Sequence, residues 1–570
     1  MRIMQHLWSS LLRTEIKEII PSGPRLDAPA CVLTTAILMV LVTGPVFAGS
    51  ATWNLNPTSG DWNTATNWTP ETVPNGPNDT ATFGVSNITA VSTGFTASLE
   101  VNGIVFDPGA SAFTVVVDTG FGLNLTIGGV GITNNSGIAQ NFFSDGGEST
   151  LLFTNGATAG NLTFFTNNGG SDFQGGNFTE FFNTSTAAHG TFINAGGGGA
   201  TSFFDTSTAG NGTFINDGGA EDVDPGGSTN FNDASTAADG TFTNNSGSGS
   251  FGSVGTTQFF GSSTAGNGTF TNNGGKGLGG ETVFFSTSTA ANATLIANGG
   301  SNEADGGSIQ FWNDSMGGIA RVEVFDYGNL DISGHFLPGV TIGSIEGSGI
   351  VFLGISNLTV GGNSLNTTFS GVIQDQDGGS LTKIGRGTLI LTNANTYTGG
   401  TTIENGTLVV NNVSGSGTGT GAVQVNAGVL GGKGTIAGAV TVGTGSGRGS
   451  GLDPGRPGSN PGHFLSILGA LILNSDGTYS VGLKATDQTV DQVMANGVTI
   501  NGAQFHFAVH GQHVLSPGTV FTVIENTAAT PIAGAFANLP DGSLITSNGH
   551  TFQASYEGGD GNDLTLMVVP

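Results

Sequence analysis

The chain has 570 residues, 100 of them glycine, and sets only 12 Lys+Arg against 40 Asp+Glu, a formal net charge of −28. Such a balance works against binding to nucleic acid or to anionic membranes, and so much Gly on a background of Thr, Ser, Asn and Phe works against helices. A single cysteine, Cys31, rules out a disulfide framework within the chain.

Residues 1–48 read as an export signal with a long N-terminal region. Arg2, Arg13, Lys17 and Arg25 supply positive charge, residues 30–46 form the apolar core, and Val46-Phe47-Ala48 places small residues at −3 and −1. Cleavage is expected between Ala48 and Gly49. Cys31 precedes the apolar run, so lipid attachment is not expected. Without the signal, 8 basic and 37 acidic residues remain, a charge of −29, and no further stretch is long and apolar enough to span a bilayer.

Residues 49–140 hold three of the five tryptophans, Trp53, Trp62 and Trp68. A repeat array needs an atypical end unit to cover its open core, so the segment reads as a β cap. The alternative is that the three indoles are exposed and stack on sugar rings.

From residue 141 to 320 one sentence recurs. Its clearest copy is Phe259-Phe260-Gly261-Ser262-Ser263-Thr264-Ala265-Gly266-Asn267-Gly268-Thr269-Phe270-Thr271-Asn272-Asn273-Gly274-Gly275. The Thr before Ala falls at 158, 186, 208, 236, 264 and 289, with spacings of 28, 22, 28, 28 and 25 residues. Each unit carries two strand signals, such as 257–263 and 268–272, separated by turn residues. That period suits one coil of a solenoid, in which stacking sets the Phe of one coil above the Phe of the next. The Asn-Gly-Gly pieces are expected at corners, where Gly permits positive φ.

Residues 321–435 change dialect. They contain Leu381-Thr382-Lys383-Ile384-Gly385-Arg386-Gly387-Thr388-Leu389-Ile390-Leu391, then Asn395-Thr396-Tyr397-Thr398-Gly399-Gly400-Thr401, then Asn405-Gly406-Thr407-Leu408-Val409-Val410. In that order these pieces, within 379–410, resemble the autotransporter-associated β-strand repeat, also called the passenger-associated transport repeat. The resemblance implies an all-β chain of the autotransporter-passenger or Pro-Glu-Pro-tailed surface-protein class. It also implies a right-handed parallel β-helix on a bacterial surface or in the medium. Independently of the name, Leu389, Leu391, Ile403, Leu408 and Val410 alternate as strand residues do.

Residues 436–570 read as last coils or a small β cap. The chain stops at Val568-Val569-Pro570, without a pattern for the eight or so strands of roughly ten residues that a membrane barrel would need.

Candidate chemistry is sparse. Gly558-Gly559-Asp560-Gly561-Asn562-Asp563 resembles one copy of a calcium turn, making Asp560 and Asp563 weak calcium candidates beside the plainer reading of a tight turn. Glu221-Asp222-Val223-Asp224 reads as a solvated corner. His506 and His510 share a strand face but lie about 13 Å apart, too far for one zinc ion, and His513 follows them toward a turn. The position after the double aromatic reads Asn183, Asp205, Asn232, Gly261, Ser286 and Asn313, a loose polar ladder without paired acids. The expectation is therefore an exported, non-catalytic structural or adhesive protein. It needs no cofactor apart from the calcium candidate, and its partner is an extracellular glycan or surface component. A carbohydrate-active enzyme (polysaccharide lyase or hydrolase) or a carbohydrate-binding protein on the same scaffold is the alternative.

Overall fold

The computed structural model describes residues 49–570, apart from 95–96, 119–122, 146–147, 171–174, 221–223, 249–252, 301–305, 448 and 456–457. The expected export signal, including Ala48, therefore lies outside the described residues, as does most of the acidic corner at 221–224. Among the described residues there is no α-helix, only a short 3-10 turn at Ala65–Asn67. The chain is a parallel β-solenoid of about 17 turns.

Four sheets build it. The first has 15 strands, from Trp68–Thr69 to Val372–Gln374. The second stacks strands from Ala90–Ser92 through Asn161–Asn167 and Thr388–Leu391 to Gln504–His510. In the repeats the third side is a ladder of single bridges joining Thr158, Thr186, Thr208, Thr236, Thr264, Thr289 and Met316. From Gly339–Ile342 onward the third side is a nine-stranded sheet. Beyond Gln374 the first face continues without strands, by bonds from Thr396 N–H to Ile373 and from Gly417 N–H to Thr435. It then resumes as a seven-stranded sheet at Thr435–Ile436.

Within a repeat, four-residue strands alternate outward and inward, because successive side chains on a strand point to opposite faces. In Thr256–Phe259 the inward pair is Thr257 and Phe259, and in Thr269–Asn272 it is Phe270 and Asn272. Stacking in register puts like on like. Phe181, Phe203, Phe231, Phe259, Phe284 and Phe311 form one row with ring centroids 4.7–4.8 Å apart. Phe165, Phe192, Phe214, Phe242 and Phe270 form a second at 4.5–4.9 Å. The two rows meet edge to face, as in Phe231 with Phe242 at 5.7 Å and 76°. Offset stacks along the axis and edge contacts across it are both favourable aromatic geometries.

The second inward position is asparagine, and the structure makes a buried polar ladder of it. Asn167, Asn194, Asn216 and Asn244 each donate from Nδ2 to Oδ1 of the next asparagine, at 2.7–2.8 Å, the last reaching Asn272. Each Oδ1 also accepts from an inward threonine hydroxyl, Thr201 to Asn194 and Thr257 to Asn244 among them. Buried amides are tolerated only when so satisfied. The ladder stops where Ala297 pairs with Asn272, and Asn272 Nδ2 is left without a partner among the described residues.

The corners differ from expectation in two ways. The polar residue after the double aromatic marks a left-handed backbone: Asn183, Asp205, Gly261, Ser286 and Asn313 have φ of 55–62°. In the remaining coil that place belongs to Asp233 (φ 55°), while Asn232 occupies the outer aromatic position. The Asn-Gly-Gly glycines serve close approach instead. At Gly274, absent from the positive-φ glycines, a Cβ would fall 2.4 Å from Gly300 N of the next coil.

Both ends are covered. Trp53, Trp62 and Trp68 are 2%, 0% and 0% exposed and pack on one another and on Phe83 at 4.9–6.1 Å. Their indole N–H groups donate to the carbonyls of Ile88, Pro74 and Trp62. The glycan-contact alternative for these residues is corrected: no ring face is open, because the indoles plug the first coil. At the other end, Val520–Asn526, Asp563–Val569, His550–Gly558 and Leu544–Ser547 pair antiparallel.

Candidate functional site

In most coils of the repeats an aromatic follows the first-sheet strand and turns outward, Asn232 standing in that place in one coil. Phe182, Phe204, Phe260 and Phe285 are half-buried along one corner, and the first and last pairs stack at 4.6 and 5.1 Å. The row ends at Trp312, which is 37% exposed. Its Nε1 donates to Gln310 Oε1 at 3.0 Å, and Gln310 Nε2 donates to Ser308. Its ring lies on Gly334, where a Cβ would fall 2.2 Å away, so only a glycine leaves room for the indole.

Beyond Trp312 the next coils put Ser333 and Gly354 in that row, and the loss of bulk opens a cleft of about 390 Å³. Strand register lines one wall: Gln310 pairs with Asp331, Asp331 with Phe352, and Phe352 with Gln374. Asp375 and Gln376 close the far side. Asp331 Oδ1 accepts the Ser333 N–H, and Asp375 Oδ2 accepts both the N–H and the hydroxyl of Thr398. Each carboxylate thus has one oxygen engaged, and the side-chain amides of Gln374 and Gln376 make no hydrogen bond among the described residues. Beside Gln310, burial raises the Glu281 carboxyl to about 7, against a lowering hydrogen bond from Gln310 and with a further push from Asp331.

The coils immediately after the cleft carry a second set of placed polar groups. Lys383 is 1% exposed, and its Nζ donates to the carbonyls of Ile384, Gly385 and Asn405 at 2.6, 3.1 and 3.3 Å. Asn395 holds the strandless face by accepting from Ile373 N–H and donating to Gly417. Tyr397 is buried with its hydroxyl 2.6 Å from Thr401 Oγ1. Leu389, Leu391, Leu408 and Val410 point inward between them.

Residues 381–410 match the passenger-associated transport repeat. Within the matched segment these polar residues are internal: Lys383 ties two coils together, and Asn395 and Tyr397 fill a face that has lost its strands. No curated protein matches the chain. Among solved structures it is similar to the Hap adhesin of Haemophilus influenzae, with 11% identity and a TM-score of 0.25 over 86% of this chain and 64% of that one. The chain thus spans less than two thirds of that structure's length.

Two further groupings lie past the repeat. Asp453, Asp491, His506 and His510 line a cleft of about 370 Å³. Asp491 is buried and accepts backbone N–H bonds from Gly462, His463 and Gly482. Burial, then the charge of Asp491, raises Asp453 to about 6. His506 and His510 stand on the outward face of one strand, and His513 is exposed beyond its end. Asp453 and Asp491 are 38 positions apart and meet only because their coils stack, so no local motif announced them.

The calcium candidates sit in the last hairpin, where Gly558 pairs with Asp563. Asp563 is buried and its Oδ1 accepts the Asn526 N–H, whereas Asp560 is exposed. This is the tight-turn arrangement, with one carboxylate already committed to the backbone. No group of three or more His, Cys, Asp or Glu suited to a metal occurs among the described residues. Nor is any described helix long and apolar enough to cross a membrane, which says nothing of β-barrels.

Proposed function

We propose that this chain is an exported β-solenoid, displayed on the cell surface or secreted, with a structural and adhesive role. One observation supports it above the rest: the passenger-associated transport repeat at 381–410 is embedded in a continuous shaft whose buried polar residues Lys383 and Asn395 bind the coils together. The export signal expected at 1–48, the acidic exterior and the lack of any cysteine after residue 48 agree with life outside the cytoplasm. Its partner on this reading is an extracellular glycan or surface component.

The test is fractionation of the source cells with an antibody to the shaft. Recovery in the medium, or removal by protease from intact cells, is expected. Recovery only in the cytoplasm would overturn the proposal.

A second reading, a polysaccharide hydrolase on the same scaffold, is favoured by the Asp453–Asp491 cleft. There a carboxyl raised to about 6 stands beside a second carboxylate, the arrangement that lets one acid protonate a leaving group. Reducing-sugar release from acidic and neutral polysaccharides, abolished by Asp453→Asn, would establish it. Absence of release across the panel would leave the structural reading alone.

A further inference from the structure

We infer that the cleft around Gly354, together with Trp312, is a binding site for an uncharged saccharide chain lying along the corner of the solenoid. This deepens the adhesive reading by naming a ligand class, and it concerns a different surface from the tryptophan cap considered from sequence.

Three kinds of group converge there, and together they match a polyol. The first is an aromatic platform. Trp312 is held at its edge by Gln310 and from below by Gly334, so its indole is oriented before any ligand arrives. Such preorganisation reduces the ordering cost of binding. The half-buried Phe260 and Phe285 continue the same row on the neighbouring coils, at a stacking distance of 5.1 Å. The second kind is side-chain amides without hydrogen-bond partners among the described residues, those of Gln374 and Gln376, each able to donate and accept. The third is carboxylate oxygens left over at Asp331 and Asp375, which accept only.

Charge selects among ligands. Asp331 and Asp375 face the cleft with no lysine or arginine among its lining residues, so uronate or sulfate groups are repelled. A cationic peptide would use the carboxylates but leave the two side-chain amides and the exposed Trp312 indole unmatched. A neutral sugar uses all three: hydroxyls for the carboxylates and amides, and a C–H face for the Trp312 indole. Coil register also gives the site direction, since Asp331, Phe352 and Gln374 follow one another along the axis and suit an extended chain better than a single ring.

The purified protein is tested by calorimetry against six probes: cellohexaose, xylohexaose, mannohexaose, chitohexaose, hexagalacturonate and hexalysine. Trp312 is the only exposed tryptophan among the described residues, so intrinsic fluorescence reports the site separately. At least one neutral hexasaccharide is expected to bind and shift that fluorescence. Trp312→Ala and Gln374→Ala should each weaken binding about tenfold or more. Trp312→Phe should restore most of it, and circular dichroism should show the same β signal in every variant.

Binding of no neutral probe, binding indifferent to both substitutions, or preference for hexalysine or hexagalacturonate would overturn the inference. None of these outcomes bears on where the protein resides, which fractionation decides.

Discussion

Asn244 donates its side-chain amide to Asn272 across 2.7 Å in the buried interior of the shaft, and the same Asn244 amide also reaches the carbonyl of Glu281. Asn272 has no such continuation. Position along the ladder therefore sets the cost of losing a rung. Asn244→Ala removes acceptor capacity for Asn216 and Thr257 and should cost about 2–3 kcal/mol. Asn272→Ala likewise leaves Asn244 and Thr282 without their acceptor, but it also deletes a buried amide N–H group that has no partner among the described residues, so it should cost distinctly less. Urea unfolding followed by far-ultraviolet circular dichroism measures both, and equal losses would show that the ladder is not the source of the effect.

A second corner in each coil is left-handed, and its residue alternates between Gly and Ala. Gly210, Gly266 and Gly318 have φ of 58–60°, while Ala188, Ala238 and Ala291 have φ of 47–51°. Alanine resists that conformation by about 1 kcal/mol. Ala238→Gly should therefore raise stability by roughly 0.5–1 kcal/mol, against the usual destabilising effect of glycine. Ala237→Gly, one position earlier and outside that φ region, should lower it.

Glu281 gives the shaft a pH dependence. Its folded carboxyl sits near 7, above an ordinary value of 4.5, because burial penalises the charge and Asp331 adds to that penalty despite the Gln310 hydrogen bond. The folded state thus holds its proton more tightly than the unfolded chain. The stability this provides is complete below pH 4.5 and is lost as pH rises through 7. Glu281→Gln should be nearly neutral at pH 4 and stabilising at pH 8. Melting curves at the two pH values check the sign.

If the indoles of the first coil are a plug, their loss costs stability and not sugar binding. Trp62→Ala should destabilise by about 3–5 kcal/mol, the range for deleting a large buried aromatic. Saccharide affinity at the Trp312 cleft should stay within about twofold. Denaturation and calorimetry on the same variant separate the two effects.

The solenoid was legible because a Phe recurs with Gly, Asn and Ser punctuation at coil-like spacing, and a single coil cannot bury such rings alone. The passenger-associated repeat was legible because its motif is local, Lys383 to Val410. What misled was facing. A tryptophan in a sequence announces surface area and not which way it points. Trp53, Trp62 and Trp68 went inside because they pack on Phe83 across the end of the described stack of coils. Trp312 stayed outside because it follows Phe311, and adjacent strand residues take opposite faces. The Asn183 and Asp205 series read in the sequence as a loose polar ladder without paired acids. It is a backbone requirement, since Asn, Asp and Gly accept positive φ where bulkier residues do not.

The sequence by itself determined the all-β architecture, the stacking period, the aromatic rows and the segment of the passenger-associated repeat, because each depends on patterns within about one coil. Only the tertiary structure decided which groups share a surface. Asp331, Phe352, Gln374 and Trp312 are brought together by register between coils, and so are Asp453 and Asp491. Register is set by the whole stack. A one-residue slip would turn every side chain of a strand to the other face, and no local spacing records which alignment the stack selects.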